Sequence, residues 1–273
     1  DHRDLHSFPT RRSSDLHIVI MYSNGYIFRY ASIMVILVAA LLSAAAILLQ
    51  PAQERNVKIE KIQDILRSAH IESTTSDAEQ LYDKHIIKEI VINAAGEEVG
   101  VYAGGKFEKG DRRAFFVDVK SELKAKQQLA QGKQAQEPVF PLFVCRKDNE
   151  DIYIIPLYGV GLWGPIWGNI ALKGDFNTVE GVTFGHKGET PGLGAEIATE
   201  IFTAQFPAKT LFDANGNFAS IQVVKGGVAN SSIDPAHGVD AISGGTITSN
   251  GVSDMLRNCL ENYVPYFKNQ KAL

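Results

Sequence analysis

The sequence predicts an α+β protein: a single N-terminal transmembrane helix followed by a domain of hairpins and antiparallel sheet with flanking helices. Three observations carry this reading. Tyr30 to Leu49 is a twenty-residue run without a charged side chain. The chain after it alternates short extended pairs, each broken by turn formers, with amphipathic helical stretches. Near the C-terminus a glycine-rich bend opens a last amphipathic helix, with Val252, Met255, Leu256, Cys259, Leu260, Tyr263 and Val264 recurring on one face.

The apolar run, at ~1.5 Å per helical residue, spans roughly 30 Å, the thickness of a hydrocarbon core. Ten of its residues are Leu, Ile or Val, which together favour insertion by about 3–6 kcal/mol. Ala44-Ala45-Ala46 resembles a signal-peptidase site, but the run exceeds the usual length of a signal sequence, which points to a retained anchor. Residues 1–20 resemble an in-frame translation of a synthetic sequencing adapter and are set aside; the native start is then Met21, leaving 21–29 as a short tail before a span at 30–49. Arg29 precedes the span, while Arg55, Lys58 and Lys61 follow it beside Glu54 and Glu60. By basic-residue count alone the large domain belongs inside the cell.

Beyond the anchor, 50–95 reads as a juxtamembrane helical region. Val57, Ile59, Ile62, Ile65 and Leu66 make one partly amphipathic helix, and Ser76 to His85 a second short piece. Ile86–Ala94 and Glu98–Ala103 flank Gly96 as a hairpin. Asp118 to Gln134 is a charged helix ending near Gly132, followed by a Gln-rich linker. Phe140–Arg146 and Ile152–Leu157 form another hairpin around Lys147-Asp148-Asn149-Glu150. Asn215-Gly216 is the strongest two-residue turn signal, and Ala219–Val224 after it alternates as a half-buried strand does. Nothing repeats internally.

The 273-residue chain carries a formal net charge of −4, which argues against a nucleic-acid partner. Its two cysteines, Cys145 and Cys259, are far apart. A structural zinc or an iron–sulfur cluster normally takes four ligands, so neither is built by this chain alone. Cys259 falls on an apolar helix face as a core residue; a disulfide stays open if the domain is exported.

The candidate site begins with Asp240-Ala241-Ile242-Ser243-Gly244-Gly245-Thr246-Ile247-Thr248-Ser249. A threonine on a two-glycine bend at a helix start sits among unpaired N–H groups and the positive end of the helix dipole, where a phosphate is welcome. The residues alone equally allow a plain turn whose hydroxyls cap the helix. Two more segments stand out. His186-Lys187-Gly188-Glu189-Thr190-Pro191-Gly192-Leu193-Gly194 is dense in turn formers and poor in core residues, and so also reads as an ordinary surface loop. Tyr158 to Gly168 packs four glycines, a proline and both tryptophans into a close bend, where core packing is the default for the aromatic rings.

The string Asp-Ala-Ile-Ser-Gly-Gly-Thr resembles the flavinylation motif of a family whose threonine is esterified to the phosphate of FMN. Gly245 stands where alanine is commoner, a mild departure that keeps the threonine accessible. Glu-Thr-Pro-Gly-Leu-Gly at 189–194 is similar to the flavin-contacting loop of the same FMN-binding domain, and Gly-Leu-Trp-Gly at 161–164 precedes it in the family's order. From about Gly96 to the C-terminus the chain resembles the NqrC family, the C subunits of the sodium-translocating NADH:quinone reductases.

The resemblance implies an FMN-binding domain over 96–273 and FMN attached by a phosphoester to Thr246, with Thr248 and Ser249 as rival hydroxyls less well placed in the motif. Asp240, Ser243, Gly244, Gly245, Trp163, His186, Glu189, Thr190, Pro191, Gly192, Leu193 and Gly194 complete the implied cofactor site. No protein base or nucleophile is then needed for turnover, because the chemistry is electron transfer through the flavin. The implied partners are the flavin-bearing B protein of the membrane complex, its iron–sulfur-bearing D/E pair, and a flavin transferase that uses FAD and a metal. The implied location is the bacterial inner membrane, with the flavin domain outside it, against the charge count. The homologous FMN subunit of the ferredoxin:NAD reductase complex, an FMN-containing regulatory or sensory domain, and a non-catalytic FMN-binding membrane scaffold are the alternatives.

Overall fold

The computed structural model describes residues 23–271. The adapter-like stretch and Met21 lie outside the described residues. The chain divides into two compact units at Arg55/Asn56.

The first unit is the front of helix α1 (Asn24–Ser68). Every described side chain from Ser23 to Arg55 is exposed, including all ten Leu, Ile and Val side chains between Tyr30 and Leu49. This stretch is long and apolar enough to cross a membrane. The sequence reading has the span at 30–49 and the helix of Val57 to Leu66 as separate pieces. The structure instead runs α1 through Pro51, where the proline removes one helical N–H and the neighbouring turns carry the helix on.

The second unit is organised by seven antiparallel strands: β1 (Ile86–Asn93), β2 (Glu98–Ala103), β3 (Lys106–Lys109), β4 (Val139–Lys147), β5 (Glu150–Val160), β6 (Pro165–Leu172) and β7 (Val179–His186). Their order is β3-β2-β1-β4-β5-β6-β7. Alternation along the central strands sends side chains to opposite faces, and each face has its own core. Val91, Phe143, Cys145, Ile154 and Ala171 pack with the end of α1 (Ile59, Ile62, Ile65, Leu66) and with Tyr82 of α2 (Ala78–His85). Ile90, Leu142, Val144, Ile170 and Leu172 pack with α5 (Thr246–Leu260), including Val252, Met255 and Leu256, and with Phe267 of α6 (Val264–Lys271). Because β1 lies between β2 and β4, residue 96 falls inside the β1–β2 hairpin rather than between two compact bodies.

Both expected hairpins form. Asp148 and Asn149 turn β4 into β5 with positive φ of 50° and 66°, the conformation a two-residue primed turn requires. The charged helix forms as α3 (Val119–Ala130). The expected strand 219–224 shrinks to β8 (Gln222–Val224), because Ser220 takes a φ of 63° and interrupts the extended chain. β8 pairs in parallel with β9 (Gly238–Asp240). This brings Asp240 beside the 224–228 turn just before the α5 motif.

Two carboxylates, one buried and one half-buried, sit on the α1 face. Glu89 is almost fully buried and accepts from the Tyr82 hydroxyl (3.1 Å) and the Phe115 N–H (3.0 Å) while pairing with the Arg113 guanidinium. Asp64 is 23% exposed at its side chain and lies 3.3 Å from Arg67. Burial pushes the Asp64 carboxyl up from 3.8 to about 6, opposed by Arg67 and assisted by Glu60. The folded state thus holds a proton that the unfolded chain has released, so stability falls as pH rises from about 4 through about 6. Asp64→Asn is expected to match wild type near pH 4 and to exceed it by about 1–3 kcal/mol above pH 7. Urea unfolding of the full chain in detergent at both pH values measures this.

Candidate functional site

The first turn of α5 is built without a side-chain cap. Its N-cap is Gly245, which has no side chain to offer. Ile242 to Gly245 close a turn through the Gly245 N–H to the Ile242 carbonyl (3.1 Å), with Gly244 at a φ of +77°. A Cβ on Gly244 would lie 2.6 Å from Leu193 Cδ2. Both glycines therefore let the 186–194 loop close over the bend.

The hydroxyls of the motif have separate fates. Thr248 is 1% exposed and donates to Glu189 Oε2 (2.6 Å). Ser249 is equally buried, and its Oγ accepts from the Ile242 N–H (3.3 Å). Ser243 is exposed, and Thr246 is half-buried. Among the described residues no protein group hydrogen-bonds the Thr246 hydroxyl, and no protein acceptor meets the N–H groups of Thr246, Ile247 or Thr248. A turn whose hydroxyls cap the helix is thus not what forms. The first turn of α5 instead presents a free hydroxyl and free N–H groups together, as an anion site does.

Glu189 joins three segments. It is 5% exposed; Oε1 accepts from the Trp163 N–H (2.8 Å), and Oε2 takes the Thr248 hydroxyl. Among the described residues it has no ion-pair partner. Glycines make room for it. A Cβ on Gly161 would sit 2.5 Å from Oε1, and one on Gly194 would overlap Oε2 and stand 2.6 Å from Thr248 Oγ1. The Glu189 N–H donates to His186 Nδ1 (3.2 Å), which leaves the proton of a neutral imidazole on Nε2.

The rest of the 186–194 loop is held by its own backbone. The Thr190 carbonyl accepts from the Leu193 and Ala195 N–H groups, both at 3.1 Å. Gly192, at a φ of +76°, donates its N–H to Glu196 (2.9 Å). Pro191 is exposed on the turn. Asp240 turns elsewhere: its carboxylate accepts from the Val228 N–H (2.7 Å), and its own N–H donates to Gln205 (2.8 Å).

Core packing is the default for tryptophan, yet Trp163 is 67% exposed. Val160, Leu162, Leu193 and Ile247 are also exposed apolar side chains on the joined segments, a concentration of apolar surface suited to a flat aromatic ligand. Gly161, Leu162 and Ile247 are not among the site residues expected from sequence. Gly161 is legible as the first glycine of the Gly-Leu-Trp-Gly string; for Ile247 the only signal is its neighbour Thr246. Thr246, the bend glycines, Thr248, Ser249, Trp163, Glu189, Leu193 and Gly194 are brought together, while His186, Thr190, Pro191 and Gly192 shape the loop. A free hydroxyl with helix N–H groups for a phosphate, beside exposed apolar side chains for a ring, fits FMN.

Residues 161–261 match the FMN-binding domain family, a segment that runs from the Gly161 bend through the end of α5. The C subunit of the Na(+)-translocating NADH-quinone reductase of Vibrio parahaemolyticus is 36% identical over 215 residues, covering 78% of this chain and 81% of that protein. Its counterpart from Pseudomonas aeruginosa is 32% identical over 236 residues, covering 82% and 88%. The crystal structure of the corresponding protein from Parabacteroides distasonis superposes with a TM-score of 0.65 at 38% identity, over 80% of this chain and 96% of that one. NqrC of Shewanella oneidensis gives 0.61 at 28% identity, over 80% and 100%.

Thr248→Val removes the hydroxyl while keeping the shape, and so leaves one buried oxygen of Glu189 without a donor. The expected loss is about 1–3 kcal/mol, read as a lower urea midpoint with an unchanged slope.

Proposed function

Because the chain belongs to the NqrC family of the Na(+)-translocating NADH-quinone reductases, we propose that it relays electrons in such a complex through an FMN joined by a phosphoester to Thr246. The observation that carries this reading is the Thr246 hydroxyl, left free on an uncapped helix start while the Thr248 and Ser249 hydroxyls that follow it are both engaged.

FMN supplies the ability to exchange one or two electrons, which links a two-electron donor to one-electron carriers. The residues of the chain hold and present it. The first-turn N–H groups of α5 and its dipole offset the phosphate charge. Gly244 and Gly245 keep the approach to Thr246 open. The exposed Leu162, Trp163, Leu193 and Ile247 would hold the ring and reduce its contact with water. No side chain is required to move a proton at the site; His186 and Glu189 shape it. The ester bond replaces reversible binding with a permanently high local concentration, which suits a carrier serving successive partners.

Attachment uses the Thr246 oxygen. It bonds to the flavin-side phosphorus of FAD, the phosphoanhydride bond to the AMP half breaks, AMP leaves, and the hydroxyl proton passes to solvent. A separate flavin transferase with its metal catalyses this step. The partners in the complex are its flavin-bearing B protein and the iron–sulfur-bearing D/E pair. The span at 30–49 anchors the chain in a bacterial inner membrane, with the flavin domain on the periplasmic side. The names of the relatives favour this reading over the ferredoxin:NAD reductase alternative.

The test is intact mass and tryptic mapping of the full chain co-expressed with a flavin transferase. The expected result is a gain of FMN minus one water on the peptide containing Thr246, abolished in Thr246→Ala. A folded chain without any adduct, beside an active transferase, would instead make this a non-catalytic scaffold.

A further inference from the structure

The motif offers more than one hydroxyl, and the structure treats two of them very differently. Thr246 and Thr248 are two residues apart on the same helical turn, with the same chemistry. Thr246 is half-buried and has no protein partner among the described residues. Thr248 is 1% exposed, and its hydrogen is committed to a carboxylate at 2.6 Å. We propose that Glu189 is a specificity-determining residue that selects Thr246 as the flavin-accepting hydroxyl by taking Thr248 out of competition. The proposal rests on the reading that the chain is flavinylated.

Glu189 achieves this from a fixed position. Its other oxygen is held by the Trp163 N–H at 2.8 Å, so the carboxylate cannot follow Thr248 if that side chain turns outward. For Thr248 to attack a phosphate it would have to abandon a charge-assisted hydrogen bond and leave a buried oxygen unpaired, a penalty of roughly ten- to a hundredfold in population. A carboxylate beside an open hydroxyl could act as its base and make it the better nucleophile. Here that route is closed by packing: a Cβ on Gly194 would lie 2.6 Å from Thr248 Oγ1, so the loop backbone covers the hydroxyl. Ser249 is withdrawn independently through the Ile242 N–H. Ser243 lies beyond the positive-φ bend at Gly244, outside the helical turn that offers the N–H groups.

The step being directed is the one already balanced: a threonine oxygen–phosphorus bond forms, the phosphoanhydride of FAD breaks, AMP leaves, and the hydroxyl proton goes to solvent. Glu189 touches neither reacting atom; it acts through Thr248.

The experiment maps the adduct residue by residue after co-expression of the full chain with a flavin transferase. Wild type and Glu189→Gln are expected to carry it on Thr246 only, since the glutamine amide can still accept from Trp163 and donate to the Thr248 oxygen. Glu189→Met, which keeps the volume and loses the hydrogen bonds, is expected to carry adduct on both Thr246 and Thr248. Thr246→Ala is expected to carry none. An adduct confined to Thr246, or lost from both threonines, in a folded Glu189→Met chain would overturn the proposal. So would an adduct on Thr248 in Thr246→Ala alone, a readout that holds even if Glu189→Met fails to fold. Absence of adduct from wild type would count against flavinylation itself, so the two failures are distinguishable.

Discussion

The site is organised around a buried anion that has no cation beside it among the described residues. Taking a carboxylate out of water is unfavourable unless its oxygens are hydrogen-bonded, and Glu189 meets that demand with one backbone N–H and one hydroxyl from segments far apart in sequence. Trp163 is 26 residues before it and Thr248 is 59 after it. The β5–β6 bend, the loop after β7 and the first turn of α5 must therefore close on the same point together. The glycines at 161 and 194 follow from this, because any side chain there would occupy the space of the carboxylate.

The sheet makes that closure possible. Strands β5, β6 and β7 end at the bend and loop they feed, so Trp163 and Glu189 are delivered by neighbouring strands in fixed register. α5 is seated on the same end by two close approaches: Gly159 against Met255 Cβ, and Gly251 against the Val160 carbonyl. Behind this lies the aromatic core, where Tyr263 is buried and donates to the Pro141 carbonyl at 2.7 Å. The site therefore rests on strands and a packed helix rather than on free loops, which is what precise placement of a cofactor requires.

Much of this is legible in the chain. The two hairpins, the charged helix and the last amphipathic helix announce themselves by period and turn residues, and the motif threonine stands out by resemblance. Strands β6 and β7 do not announce themselves. β6 opens on Pro165 and contains Gly168, and β7 contains Gly181 and Gly185, residues that weaken any strand signal. Their reasons are tertiary: a Cβ on Gly168 would strike the Thr183 carbonyl, and one on Gly185 would lie 2.6 Å from the Trp167 indole nitrogen. Exposure of Trp163 is likewise unreadable, since composition says only that tryptophan prefers burial. The role of Glu189 is beyond sequence altogether, because its two donors are distant along the chain. Asp240 shows the opposite limit: it opens the motif, yet its carboxylate serves the Val228 backbone.

The cysteines carry a consequence of their own. Cys145 belongs to the core under α1 and Cys259 to the core under α5, on opposite faces of the sheet. Both are free, and burial pushes their thiols up to about 11 and about 12. Neither forms a thiolate at neutral pH, and the sheet stands between them, so oxidants and thiol-exchange enzymes find no handle on the folded domain. The fold therefore draws nothing from a disulfide, and its architecture is the same under reducing as under oxidising conditions.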